Sequence, residues 1–277
     1  MLKISHKPLV WQQSINRQNN MKNIITILIT VLFWQSTSAQ LFSREKIKNN
    51  ENIDKSFLSY GYFLGLNSYD FNFDYVNDRK DIQVEKSTGF SVGLIGNLRI
   101  NNYIDIRLEP GLFITTRNLI YDESYFDGTE FTDSDLLREV KSTYIHVPLL
   151  LKFSTKRLNN FKPFVVAGVS TALNLSSNEE NPDDNSAGEF RSKKSQLYYE
   201  LGFGIDFYLY FFKFTPSIRG IFSMTNEIVP DLDPNSPWTG NIDSMQTRGL
   251  FINFTFHKYN PMTKQEKIEY VINTLNK

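Results

Sequence analysis

Nine charged side chains are embedded in stretches of the sequence that alternate apolar and polar residues. They are Arg99, Asp105, Arg107, Glu109, Lys152, Glu200, Asp206, Lys213 and Arg219. Alternate residues of a strand point to the same face, so these side chains are expected to share the inner face of a sheet. Such a set can form an ion-pair network that satisfies buried charge, or it can line a polar conduit for small solutes. We favour the network, because a narrow interior brings long charged side chains into contact.

Candidates for catalysis are few. Only two histidines, His146 and His257, fall in the alternating region. We expect His146 to be a hydrogen-bonded interior side chain in the middle of a strand, and His257 to end the last strand. Modification of lipid at one rim of a sheet would need a nucleophile, a base and an acid placed together, and neither histidine fits that arrangement. We predict no catalytic residue, with a lipid-modifying enzyme as the third of three hypotheses.

Metal and cofactor sites have equally little support. The chain has no cysteine, which excludes disulfides and thiolate ligands. Asp231, Asp233 and the acidic residues 179–184 could attract Ca²⁺, but they lack the ligand order of a calcium loop, and we interpret them as solvated surface charge. Gly202 and Gly204 fall inside a strand pattern and do not form a phosphate-binding loop. The sequence therefore predicts no metal and no cofactor.

Eight runs of alternating residues follow one another along the chain. They cover residues 58–73, 89–100, 103–121, the two arms of a hairpin at 142–175, and 196–208, 212–226 and 247–257. The runs are longer than an ordinary globular strand, which has five or six residues. Pro148 is out of place inside the fourth run, because proline cannot donate to a ladder.

The connections between the runs decide between kinds of β protein. Tight links at residues 101–102, 156–160 and near 210 alternate with long polar links at 75–86, 122–138, 176–194 and 227–244. Short periplasmic turns and long extracellular loops are typical of a transmembrane barrel. We predict an all-β fold, an eight-stranded antiparallel up-and-down transmembrane β-barrel with a short C-terminal helix. The alternative is a secreted sandwich or a lipocalin-like barrel. The zero net charge gives no basic field for nucleic acid.

The two ends of the chain differ from the barrel. Residues 21–39 have the short basic, apolar and small-residue regions of an export signal, with cleavage expected near Ala39. We interpret residues 1–20 as an upstream-start artefact, the alternative being an unusually long basic region of the signal. Residues 40–56 are expected to form a periplasmic leader, 57–258 the outer-membrane barrel, and 259–277 a periplasmic amphipathic tail. The predicted location is the cell outer membrane.

Four segments carry a resemblance to a known family. They read YIHVPLLLKF, KPFVVAGVS, YYELGFGIDF and FTPSIRG, in that order. Together they resemble the PorT-like outer-membrane β-barrel family, over roughly residues 58–257. The resemblance implies a non-enzymatic accessory component of type IX protein secretion, with proteins of the secretion machinery and outer-membrane lipid as partners. The alternative is a generic structural or ligand-binding barrel that uses its extracellular loops.

Overall fold

Ten strands form one antiparallel sheet that closes on itself. The computed structural model describes Asn49 and residues 56–126, 130–180 and 190–258. The strands are β1 (Leu58–Tyr75), β2 (Gln83–Lys86), β3 (Thr88–Arg99), β4 (Ile104–Leu108), β5 (Gly111–Ile120), β6 (Leu137–Ser154), β7 (Phe161–Asn174), β8 (Ser195–Tyr208), β9 (Phe212–Ser223) and β10 (Ile242–Lys258), with a 3-10 helix over Glu123–Phe126. β1 pairs with both β10 and β3, which closes the ring.

The ring has eight positions for a strand around its circumference, here called staves. Two of the staves are interrupted, so that each of them consists of two of the ten strands. β2 and β3 are separated by Ser87, and β4 and β5 by Glu109 and Pro110. Each stave pairs with the next one along the chain, so the predicted eight-stranded up-and-down barrel is confirmed. The predicted C-terminal helix and the predicted signal segment lie outside the described residues. So does the predicted leader, except for Asn49 and Ser56. In the described part of the chain no helix is long and apolar enough to cross a membrane.

Two prolines at one level explain the interruption between β4 and β5. Leu108 pairs with Leu149 and Gly111 with His146, which brings Pro110 and Pro148 to neighbouring positions on adjacent staves. Neither proline has a backbone N–H to donate. Both missing donors therefore fall in the same short gap in the hydrogen-bond ladder between the two staves. The Glu109 N–H still donates to the Pro148 carbonyl at 3.3 Å. The run predicted at residues 103–121 is therefore two strands in the structure.

The polarity of the staves inverts along the barrel axis. The half of the barrel nearer the short turns is called the lower part here. Its outward side chains are apolar and exposed, as for Leu64 and Leu66 on β1 and Leu250 on β10. Above this band the outward residues of β1 become Ser68, Asp70 and others that are polar, while the inward Phe71 is buried. An apolar outer band with a polar interior is the pattern of a barrel in lipid, and an apolar interior with a polar surface is the pattern of a domain in water.

The upper part is a separate apolar core, here called the cap, made of the described residues of 70–87, 116–143, 190–194 and 224–247. Its buried side chains are Phe71, Ile82, Leu119, Tyr121, Tyr125, Phe126, Val140, Phe190, Ile228, Ile242 and Met245. The ladder between β1 and β3 ends at Ser68 and Thr88, whereas β1 stays paired with β10 up to Tyr75. Side-chain contacts therefore hold the two sides of the cap together across this seam, through packing, the Lys86–Asp70 ion pair at 3.1 Å and the hydrogen bond from the Ile82 N–H to the Tyr75 hydroxyl at 2.8 Å.

Gly168 provides a test of how closely the staves approach. A Cβ built there would lie 2.2 Å from the Leu149 carbonyl oxygen, which belongs to the backbone of β6, whereas a Cβ at Gly96 would meet only the Leu108 oxygen, at 4.0 Å. We expect Gly168→Ala to lower the free energy of unfolding by about 1–3 kcal/mol, the usual range for overpacking. Urea unfolding in detergent micelles measures this, with Gly96→Ala as the matched control. Equal effects of the two substitutions would contradict the prediction.

Candidate functional site

Inward residues of β6 show how the barrel interior changes along its axis. From the end of the barrel with the short turns upward they include Lys152, His146, Tyr144 and Val140, all at most 2% exposed. The interior is therefore charged in its lower part, aromatic in the middle and apolar in the cap. This order follows from the alternation of the strand, since each second residue faces the interior.

The lower charged layer is centred on Asp206, which is buried on β8. Its carboxylate accepts hydrogen bonds from Lys152 Nζ at 2.5 Å and Thr215 Oγ1 at 2.7 Å, and Lys213 Nζ is 4.0 Å away. Lys152 Nζ also lies 4.2 Å from the centre of the Phe164 ring. Asp206 thus compensates two buried cations at once.

A second set of charges lies nearer the middle of the barrel. His146 Nε2 is 2.6 Å from Glu200 Oε1, and Arg219 Nε is 2.9 Å from Glu200 Oε2. Arg219 Nη1 also donates to Glu109 Oε2 at 2.8 Å, and Glu109 pairs with Arg107 at 3.3 Å. These five groups form a continuous network across four staves, in which each carboxylate meets two basic side chains.

Two of the nine predicted interior residues have a different setting. Arg99 is half-buried at the end with the short turns, where its Nε donates to the Asn101 carbonyl at 3.3 Å and Nη2 donates to Asn102 Oδ1. Asp105 is buried and lines a small cavity at the same end of the barrel, with Arg99 and Asp206. In the described part of the chain Asp105 makes no ion pair within 4.0 Å. The structure therefore brings seven of the nine residues into paired contacts and leaves these two at the rim.

Gly204 makes room for an aromatic side chain in the charged layer. A Cβ at Gly204 would lie 2.5 Å from Cζ of Phe164, so only glycine leaves this space. Phe164 in turn contacts the cations on either side, with Arg107 Cζ 5.2 Å from its ring centre. Gly202 and Gly204 are strand-interior residues of β8, and their role is in packing.

An aromatic layer separates the charged part from the cap. Its buried members are Phe63, Tyr69, Phe113, Tyr144, Tyr198 and Phe251, with Ala172 and Ile221. Phe113 and Phe251 have ring centres 4.9 Å apart, and His146 lies 5.0 Å from Phe113. Side chains thus fill the barrel at this level, as expected for an eight-stranded ring.

Two further buried charges belong to the base of the cap, and sequence reasoning missed both. Arg117 donates to Thr247 Oγ1 at 3.0 Å and to the Tyr144 hydroxyl at 2.8 Å. Glu227 accepts from the Thr247 N–H at 3.1 Å and from Thr247 Oγ1 at 2.9 Å. Arg117 lies two residues beyond Thr115 on the same inward face, so the alternation could have found it. Glu227 lies in a connection with no such pattern.

The interpretation of Asp231 as solvated surface charge is wrong. Asp231 is buried in the cap, where it lies 3.1 Å from Arg191 Nη2 and accepts a hydrogen bond from Ser236 Oγ at 2.5 Å. The partner comes from a connection 40 residues away, so local sequence gives no sign of the pair. Among the residues the structure describes, no group of three or more His, Asp and Glu side chains is placed to hold a metal ion.

The pKa of Glu227 gives the cap a dependence on pH. Burial raises the pKa of the Glu227 carboxyl above its ordinary value of 4.5, while Arg117 lowers it. A raised pKa in the folded state means that this group stabilises the fold most below the ordinary value, and that this contribution is lost as pH rises through the folded pKa. By contrast, the Lys80 side chain holds the pKa of the partly buried Asp122 carboxyl down at about 2.

We therefore expect wild type to gain stability relative to Glu227→Gln as the pH falls from about 8 to about 4. Glutamine resembles the protonated acid in shape but does not titrate, so the difference between the two proteins isolates the carboxyl. Urea unfolding of both proteins at each pH measures it. A wild type that loses stability relative to the glutamine variant on acidification would contradict the expected sign.

A family match agrees with this architecture. Residues 38–229, more than half of the chain, match the family described as "Outer membrane protein beta-barrel domain". No curated protein matches significantly. Similar solved structures include OprG of Pseudomonas aeruginosa, at 14% identity and a TM-score of 0.40, covering 74% of this chain and 95% of OprG. Neisserial surface protein A (NspA) has 8% identity and a TM-score of 0.36, with 73% of this chain and 99% of NspA covered. The Yersinia pestis attachment invasion locus protein Ail has 14% identity and a TM-score of 0.35, with 73% of this chain and 99% of Ail covered.

The family match rests on sequence over most of the barrel, and the closed ring of eight staves with an apolar outer band is the architecture its description names. The chain therefore belongs to the outer membrane protein beta-barrel domain family, and this membership indicates a location in the outer membrane.

Proposed function

We propose that the chain is a non-enzymatic barrel that acts through its outer surfaces, as an accessory component of type IX protein secretion. The observation that carries the proposal is the packed interior. Paired charges fill its lower part and aromatic side chains its middle, with Glu200, His146 and Phe251 fully buried. A barrel filled in this way offers no passage to a folded protein, so its contribution to export has to come from contacts with larger partners.

The choice of secretion pathway rests on the resemblance of four segments to the PorT-like family. All four lie on staves that build the interior: YIHVPLLLKF on β6, KPFVVAGVS on β7, YYELGFGIDF on β8 and FTPSIRG on β9. They supply His146, Lys152, Glu200, Asp206 and Arg219, which make most of the ion pairs. The segments that carry the resemblance are thus also the segments that close the interior, which supports a shared architecture with that family.

Deletion of the gene and affinity purification test the proposal together. We expect loss of protease or adhesin export in the deletion strain, restored by the wild-type gene, and recovery of type IX components with the tagged barrel from outer membranes in mild detergent. Normal export in the deletion strain, with the barrel recovered alone, would exclude the secretion function. Planar-bilayer conductance of the purified barrel serves as the control for a conduit, and we expect no stable open state.

A second candidate function is ligand binding or adhesion by the extracellular side. The observation in its favour is the cap, whose buried core of eleven side chains gives the long loops a fixed shape. Loops positioned by a rigid scaffold are common binding surfaces. If export is normal in the deletion strain but cell adhesion or ligand uptake is lost, this candidate replaces the first.

A further inference from the structure

A cavity of about 150 Å³ opens at the periplasmic end of the barrel, between the β3–β4 turn and the β6–β7 turn. Its lining is strongly basic. The lining residues are Arg99, Asn102, Tyr103, Lys156, Arg157 and Lys162. No carboxylate belongs to this lining, so the cavity presents cations, one amide and one phenol.

Neutral oxygens orient two of these cations without compensating their charge. Lys162, which is buried, donates from Nζ to the Asn102 carbonyl at 3.3 Å, and Arg99 donates to the Asn101 carbonyl and to Asn102 Oδ1. Within the described residues, no carboxylate oxygen lies within 4.0 Å of the charged nitrogens of Arg99, Lys156 or Lys162. A buried cation without a charged partner is unfavourable, and an anion in the cavity would remove that cost.

The neighbouring carboxylates do not balance the excess. The small cavity next to this one shares Arg99 and Lys162 and adds Lys213, Asp105 and Asp206. Apart from Arg157, which has partners of its own, the two linings together hold four cations against two carboxylates. Asp206 is already bound by Lys152 and Thr215, which leaves Asp105 as the only further negative charge in these linings.

The cavity lies at the depth expected for lipid headgroups. Tyr103 in its wall is 46% exposed, and the outward Phe153 and Leu158 close by are also exposed. Exposed aromatic side chains at the end of an apolar band mark the membrane interface of a barrel. Basic clusters at this depth attract anionic headgroups, and the attraction is strong because lipid reduces the screening by water and salt.

We propose that this cavity, with Arg99, Lys156 and Lys162 as its cations, binds the phosphate group of an anionic phospholipid in the periplasmic leaflet. The Asn102 amide and the Tyr103 hydroxyl supply further hydrogen-bonding groups in the same wall. The same chemistry would also accept a soluble phosphate compound, and the experiment separates these two sources. The proposed site does not depend on the secretion function.

The test uses the full chain purified in a nonionic detergent, with bound lipid measured by native mass spectrometry. We expect phosphatidylglycerol to be retained in preference to phosphatidylcholine, whose choline group the cations repel. Lys156→Gln/Lys162→Gln is expected to reduce retention of phosphatidylglycerol at least about tenfold. Lys141→Gln is the matched control, because Lys141 is an exposed lysine that pairs with Glu139 at the opposite end of β6, and its retention should equal that of wild type.

Lys156→Gln alone keeps the test decisive if the double variant does not fold, since Lys156 lies in an exposed turn. It should lower retention of phosphatidylglycerol by itself, and raising the salt concentration should do the same in wild type. Calorimetry with inorganic phosphate identifies the source: saturable binding of phosphate without retention of phosphatidylglycerol supports a soluble phosphate compound. Equal retention of both lipids by wild type with no binding of phosphate, or undiminished retention by the variants, overturns the proposal.

Discussion

Replacement of Asp206 with asparagine is expected to lower the free energy of unfolding by about 3–5 kcal/mol, the usual cost of removing one partner from a buried ion pair. Asparagine keeps the shape of the side chain but removes its charge. Lys152, 2.5 Å away, and Lys213, 4.0 Å away, would then be buried without compensation in the charged layer. This is the largest effect we expect from a single polar substitution in the barrel.

Urea unfolding in phospholipid vesicles, followed by tryptophan fluorescence, measures the loss. Asp243→Asn is the matched control, because Asp243 lies exposed on β10, and its effect should be within about 0.5 kcal/mol of wild type. The double variant Asp206→Asn/Lys152→Met removes one of the two uncompensated cations, so it should recover part of the lost free energy of unfolding. If Asp206→Asn is as stable as wild type, the charged layer does not stabilise the fold in the way the geometry indicates.

Truncation of Phe71 to alanine should destabilise the cap by about 3–5 kcal/mol, the range for deletion of a buried phenylalanine. Phe71 is 3% exposed, and its ring centre lies 3.8 Å from the Arg117 guanidinium carbon. Its loss would therefore open a cavity in the apolar core and also remove a cation–π contact from a buried arginine. Because the seam beside β1 has no ladder, the damage should remain in the cap.

Limited proteolysis of the folded protein in vesicles checks where the damage lies. We expect faster cleavage of the cap connections in Phe71→Ala, while the barrel below Ser68 keeps its protection. Val76→Ala, an exposed residue one position beyond β1, serves as the control and should be cleaved at the wild-type rate. Cleavage of Phe71→Ala at that same rate would show that the cap core does not restrain the loops.

Much of the fold could be predicted from the sequence, because each strand carries the alternation on its own. The pattern in residues 196–208 predicts β8 and the inward direction of Glu200 and Asp206 without any knowledge of the neighbouring strands. Pro148 could not be understood in this way. Its missing donor matters only in relation to Pro110 on the adjacent stave, and that relation depends on the register between strands.

The cap and its charges could not be predicted for a related reason. The alternation on β1 continues through Ser68 without a break, and only the environment on each face changes, from lipid to water outside and from charged to apolar inside. Arg191 and Asp231 form their pair between two long connections, which have no periodic pattern to indicate contact. The alternation places Arg99 on the inward face of its strand. Because it is the last residue of β3, its side chain can instead form hydrogen bonds with the following turn.

The inversion of polarity along the staves also fixes how deeply the protein sits in the bilayer. Asp70 and Arg248 form an ion pair on the outer face at 2.9 Å, one outward position above Leu250 and two above Leu66. A displacement of two residues along a strand, roughly 7 Å, would draw this pair into hydrocarbon and expose an equal length of the apolar band to water at the other end. Charged side chains on the lipid face cost more the deeper they lie, so vertical movement is opposed in both directions. Any partner in the membrane therefore meets the barrel at one height.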